Sequence, residues 1–168
     1  MSRVARYHAD RTNQKLYFAR LACGQAEQAP DNIQIIQSHR ESAVFHLHSA
    51  FLAFLQELVR YYRLNDMQPT LHSIEMHMAD KGQVSPEIEI LKKLSINGFL
   101  CELQRAFRAC QYTPEPILPE AENETSSNLI IKVTQGTQSW LPNTEILREW
   151  YQELLELIDG FRAEMVEF

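Results

Sequence analysis

The stretch from Ser38 to Tyr62 constrains this chain more than any other. Wound at about 100° per residue, it is apolar nearly all round and leaves one narrow polar strip: Ser42, His46, Ser49, Gln56, Glu57 and Arg60. A helix with so little polar face belongs at the centre of a bundle, covered on most sides by other helices. Its polar ends and its interruption by His and Ser argue against a membrane span, which needs roughly 20 predominantly apolar residues. Neither Gly nor Pro breaks residues 32–62, and Asn32 can cap the start. One long helix is therefore expected, with 33–62 as the buried centre.

The rest of the chain can be arranged around that helix. Its 168 residues support a single domain with a core of its own. Five Gly is a low count, which argues against a β-rich or loop-rich fold. Cys23, Cys101 and Cys110 are an odd, widely spaced set without a CxxC pair, as suits free thiols in a reducing compartment. No apolar run follows Met1, so a secretory leader is not indicated and a cytoplasmic location is expected. A net charge of −6 disfavours a general polyanion-binding role. The charge is uneven. Arg3, Arg6, Arg11, Lys15 and Arg20 against Asp10 give residues 1–20 a balance of +4, whereas seven acids against Arg148 and Arg162 give residues 143–168 a balance of −5. The two ends are expected to lie near each other or to sit solvated.

Local signals divide the chain into about five to six helices. A first helix over about 3–28 carries Leu16, Tyr17, Phe18, Ala19, Leu21, Ala22 and Cys23 on its apolar side and ends before Pro30. Thr70 caps a short helix to about Asp80, with Gly82 in the position past its end. Ser85-Pro86-Glu87 is a strong helix start. Ser95 and Gly98 predict a break, with Ser95 as the cap of a following helix that ends near Gln111. Residues 113–128, with three Pro, four acids and no base, predict an acidic loop. The β-like run at 129–133 permits a small hairpin, so residues 113–142 are expected to form an irregular or β-hairpin insert. Asn143 or Thr144 caps the last helix. Its seam is Leu147, Trp150, Leu154, Leu157, Phe161 and Phe168, with Glu164 in the gap.

Chemistry is harder to locate. His46 lies on the polar strip of the central helix, while His48 points into the apolar arc and is expected to be buried and neutral, with a hydrogen-bond partner. Ser42, His46, Ser49, Glu57 and Arg60 together make a candidate binding strip. His72, Glu75 and His77 are the weak candidates for a metal site. Their two histidines are five residues apart, not four as in the zinc motifs, so surface histidines are the expectation and no metal is assigned. No phosphate loop, nucleophile elbow or paired-Asp site is present, and no cofactor is indicated.

Arg40, Glu41 and the His46 that follows resemble the motif of HEPN ribonucleases, small all-α proteins in which an Arg and a His cooperate in cutting RNA. The resemblance implies that Arg40 would stabilise charge on the phosphorus and His46 would move the proton. Glu41 departs from the Asn, Asp or His that this family's motif carries. On one continuous helix Arg40 and His46 lie about 120° apart, so they meet only if the helix begins after Arg40.

The two ends of the chain resemble a second family. Ser2 to Tyr7 with Thr12 to Arg20, and the closing Arg162 to Phe168, are similar to the ends of small uncharacterised proteins, a domain of unknown function from Pseudomonas-like gammaproteobacteria. That resemblance implies a bacterial, cytoplasmic, α-helical protein and no reaction. The expectation is thus an all-α single-domain helical bundle that is a non-catalytic interaction protein, with a protein partner or a homodimer and no membrane. The alternatives are a HEPN-like RNA-binding or RNA-cleaving protein and a metal-binding protein.

Overall fold

The computed structural model describes residues 3–29, 31–112 and 141–166. These residues form six helices: α1 (Arg3–Gln28), α2 (Ile33–Tyr61), α3 (Leu71–Asp80), α4 (Pro86–Ile96), α5 (Phe99–Gln111) and α6 (Thr144–Val166). No strand occurs among the described residues. The fold is the all-α bundle that the helical patterning dictates. The insert expected at 113–142, hairpin and acidic loop included, lies outside the described residues except for Leu141, which is buried, and Pro142.

Helix α2 is the centre. It packs against α1, α5 and α6, while α4 packs on α5 and α3 on α4. Helix α1 runs antiparallel to α2, so that Thr12 meets Glu57 near one end and Phe18 meets His46 nearer the other. Buried alanines on both helices, Ala19 and Ala22 on α1 and Ala43 and Ala50 on α2, keep the two backbones close. Leu47, Phe54, Leu55 and Leu58 are fully buried on α2, each stabilising the fold by roughly 1.5–3 kcal/mol relative to exposure. Phe54 stacks on Phe161 of α6, ring centroids 6.0 Å apart. By length and composition α2 could also cross a membrane, and half of that stretch is buried inside the bundle.

Capping residues set the helix limits. The Asn32 side chain accepts from Gln34 N–H and Ile35 N–H. Thr70 and Ser73 form a reciprocal capping box, and Ser85 accepts from Ile88 N–H with Pro86 behind it. Asn143 caps α6 through Ile146 N–H. Past α3, Gly82 takes φ +64°, and Gly82 N–H and Gln83 N–H close the last turn on Ala79 and Met78 carbonyls. Helix α2 ends in the same way, but with Arg63 in the left-handed conformation (φ +52°), a position that ordinarily favours glycine.

Three details differ from the sequence reading. Tyr17 and Leu21 of α1, expected on its apolar side, are 47 % and 44 % exposed, because at about 100° per residue they turn away from the buried line of Leu16, Ala19 and Cys23. The break expected over residues 95–98 is present, at Asn97 and Gly98, but Ser95 does not cap the following helix. Ser95 lies in the last turn of α4, its hydroxyl buried without a partner among the described residues, and the cap position of α5 falls to Gly98. A Cβ at Gly98 would stand 2.9 Å from the Leu94 side chain and 3.1 Å from its backbone, so glycine eases the close turn from α4 into α5. The seam of α6 runs through Leu147, Trp150, Leu154, Ile158 and Phe161, with Leu157 only half-buried. A straight helix of 3.6 residues per turn drifts from a strict heptad, and after Leu154 the inward face falls on Ile158. Phe168 lies outside the described residues.

Candidate functional site

The polar strip of α2 divides into two environments. Towards the C-terminal end, Glu57 is covered by α1 and α6. Arg162 of α6 grips its carboxylate with two nitrogens, Nε to Oε2 at 3.0 Å and Nη2 to Oε1 at 2.8 Å. Thr12 of α1, fully buried, donates its hydroxyl to the same carboxylate. Arg162 also donates to the Asn13 side chain at 2.9 Å. A bidentate arginine with a third donor is the arrangement a largely buried carboxylate requires. At the other end of α6, Arg148 grips Glu27 of α1 at 2.6 and 2.7 Å. Both α6 arginines therefore tie α6 to its neighbours. The proximity expected of the two charged ends is real, but among the described contacts it uses these arginines rather than the basic residues of α1. Arg60 is exposed in the last turn of α2, where a cation suits the helix dipole.

A second polar knot sits beside it. Glu87, 7 % exposed, accepts at one oxygen from the Tyr62 hydroxyl and the Ser85 hydroxyl, both at 2.6 Å. These bonds hold the Glu87 carboxyl below its usual range despite the opposing effect of burial, which is the largest single influence. Burial, reinforced by the Glu87 carboxylate, pushes the Tyr62 hydroxyl up to about 12. Nothing here is open to a ligand; the knot fastens the end of α2 to α4.

Towards the N-terminal end the strip opens. Ser42 and His46 line a groove of about 660 Å³ between α2 and α5. Its α2 wall adds Gln34, Ser38, Glu41 and Phe45, and its α5 wall is Phe107, Cys110 and Gln111. The Ser42 hydroxyl donates to the Ser38 carbonyl at 2.8 Å. His46 Nδ1 is buried without a hydrogen-bond partner among the described residues. Burial first, and the Lys15 charge second, push His46 below its ordinary range, so the ring is neutral at pH 7. Burial and then the Glu41 charge push the Cys110 thiol up to about 11, which leaves it protonated and a poor nucleophile.

A band of rings crosses three helices beside the groove. Tyr17 neighbours Phe18 at 6.4 Å, Phe18 meets the His46 edge at 5.3 Å, and His46 meets Phe45 at 5.6 Å. Phe45 then meets Phe107 at 6.2 Å, and Phe107 stacks on His48 at 3.8 Å and 6°. Lys15 lies over both Phe18 and Phe45 at about 6 Å, and Arg20 over Tyr17 at 5.3 Å. Tyr17 and Phe45 remain 47 % and 51 % exposed. His48 is thus half-buried in a ring stack, not enclosed in the core with a hydrogen-bond partner as the wheel suggested. Burial still lowers its pKa and keeps it neutral. The sequence offered single aromatic residues but no sign that α5 would bring Phe107 between Phe45 and His48.

The other candidates do not converge. Arg40 and His46 sit inside one uninterrupted helix that starts at Ile33, so the condition for their meeting is not met. Arg40 Nε is buried without a partner among the described residues, and His46 alone faces the groove. Glu75 is engaged by Lys92 of α4, His77 Nδ1 lies 3.9 Å from Asp66, and His72 is exposed. Among the described residues no three His, Cys, Asp or Glu side chains come together to hold a metal ion. Ser49, on the strip between the two environments, is half-buried.

No curated protein and no solved structure matches the chain. The model of a family of unknown function, DUF6586, covers residues 7–168, and the chain belongs to that family, which agrees with the expected domain of unknown function.

Proposed function

We propose that this protein is a non-catalytic helical interaction protein of the bacterial cytoplasm, which engages a protein partner through the aromatic band and groove of α1, α2 and α5. The observation that carries the reading is the run of six rings across three helices, with Phe45 and Tyr17 half exposed beside an open groove. Exposed aromatic clusters of this kind supply large contact area at low cost in side-chain entropy and are enriched at interfaces. The cytoplasmic setting is supported by three unpaired cysteines, and the bacterial one by the likeness of the chain ends to Pseudomonas-like proteins.

A photoreactive amino acid placed at Phe45 in cells tests this. Discrete cross-linked species of defined mass are expected, including a doubled chain if the partner is a second copy. The same probe at exposed Met67, away from the band, should give none. Equal, diffuse labelling from both positions would refute the reading. So would RNA cleavage by the pure protein that His46→Ala abolishes, because the strip would then be catalytic.

A further inference from the structure

We infer that the groove between α2 and α5 is built to receive a cationic side chain, an arginine or lysine, from the protein partner. The inference rests on the interaction reading above and adds what the partner must carry.

The chemistry of the lining is one-sided. No lysine or arginine is among the described residues that line it, while Glu41 projects a carboxylate into it. No ion pair or hydrogen bond engages Glu41 among the described contacts, unlike Glu57, Glu75 and Glu27 elsewhere. Glu41 lines the same groove as Cys110 of α5, whose thiol feels its charge. The remaining polar lining is rich in acceptors. The Ser42 hydroxyl gives its proton to the Ser38 carbonyl and keeps its lone pairs. The amide oxygens of Gln34, Gln37 and Gln111 are further acceptors. Neutral His46 adds an acceptor nitrogen.

The walls suit the same guest. Phe45 and Phe107, ring centroids 6.2 Å apart at 35°, line the groove with Glu41 and add the negative quadrupole of aromatic faces to it. A guanidinium offers five donors in a plane and stacks on aromatic faces, and its aliphatic stem can lie along the same rings. An anionic guest would meet Glu41 and the ring faces with like charge. A purely apolar guest would leave Glu41 desolvated without a partner, at a cost of several kcal/mol. Lys15 lies over Phe45 from the α1 side and is outside the groove lining.

The test is a titration of the isotopically labelled full chain, followed by amide NMR, with three capped tripeptides that differ only at the centre: arginine, citrulline and norleucine. For one immobilised side chain, binding of the arginine peptide at roughly millimolar Kd is expected. The shifts should be confined to residues 34–46 and 107–111. Citrulline, which keeps the shape and loses the charge, should bind about tenfold more weakly or worse, and Glu41→Gln should weaken the arginine peptide by a similar factor. Phe107→Leu should weaken it less, without abolishing the charge preference.

Equal binding of arginine and citrulline would overturn the inference, as would shifts mapping elsewhere or none at about ten times the expected Kd. Concentration-dependent shifts of the same residues before any peptide is added, unweakened by Glu41→Gln, would show a second copy filling the groove without a cation and also overturn it. In each case cross-linking from Phe45 would still report on the interaction reading independently.

Discussion

The two ends of the polar strip on α2 make the most instructive contrast in the molecule. Glu57 at one end and Ser42 and His46 at the other are polar residues on one face of one helix, about three to four turns apart. At the C-terminal end α1 and α6 close over Glu57 and supply a bidentate arginine and a buried threonine hydroxyl. At the N-terminal end α5 stands off, and Ser42, His46 and Glu41 face an open groove. Polar patterning on a helix therefore marks where the core is interrupted, but not whether the interruption is filled from inside or from outside. The neighbour decides that: α6 brings a cation to Glu57, and α5 brings only a ring, a thiol and an amide to the groove.

The largest test of this contrast is Glu57→Ala. It removes the carboxylate that Arg162 grips with two nitrogens and to which Thr12 donates, and should cost about 3 kcal/mol in urea unfolding. His46→Ala and Glu41→Gln should each stay within about 0.5 kcal/mol of wild type, since neither leaves a bonded partner behind. Similar losses at both ends would break the comparison. A double-mutant cycle of Glu57→Ala with Arg162→Ala sharpens it, with a coupling of roughly 1–3 kcal/mol expected.

Next in size, Tyr62→Phe should cost about 1 kcal/mol by removing one of two hydroxyl donors to Glu87. The Tyr62 hydroxyl ionises at about 12 in the fold against 10.0 ordinarily, so its contribution is complete below pH 10 and is lost as pH rises towards 12. The variant should flatten that alkaline limb of the urea midpoint.

The open end should show the opposite pH signature. His46 and His48 titrate below their ordinary 6.5 in the fold, so the unfolded chain binds protons first as pH falls. Stability should be constant above pH 6.5 and decline below it, and replacing both with Gln should remove that part of the acid limb. An unaltered acid limb would place the sensitivity elsewhere. The smallest effect concerns the end of α2. Arg63→Gly should relieve the left-handed conformation and gain about 0.5 kcal/mol, the relief being partly offset by the entropy of glycine in the unfolded chain.

Helix limits were legible because capping is local chemistry. Asn32, Thr70, Ser85 with Pro86, Gly82 and Asn143 each act within a few residues of themselves, and all five do what their neighbours in sequence imply. Ser95 shows the limit of that logic. It has a cap's chemistry, yet the backbone breaks where Gly98 allows the closest approach, and that depends on packing. The pairing of Glu57 with Arg162, 105 residues away, could not be read from the strip. Nor could the ring band, which needs the docking of α1 and α5. Ile158 takes the place of Leu157 in the seam because 3.6 residues per turn carry the inward face past a strict heptad position.

The glycine joint between α4 and α5 has a mechanical consequence. Phe107 lies nine residues beyond Gly98, about 13 Å along a rigid rod. A turn of about 5° at the joint therefore swings the Phe107 end of the groove by about 1 Å. That displacement is comparable to the difference between a ring contact and a gap. The width of the groove is thus geared to a residue that touches none of it, and a methyl group at position 98 would act on the ring band as a wedge at the far end of a lever.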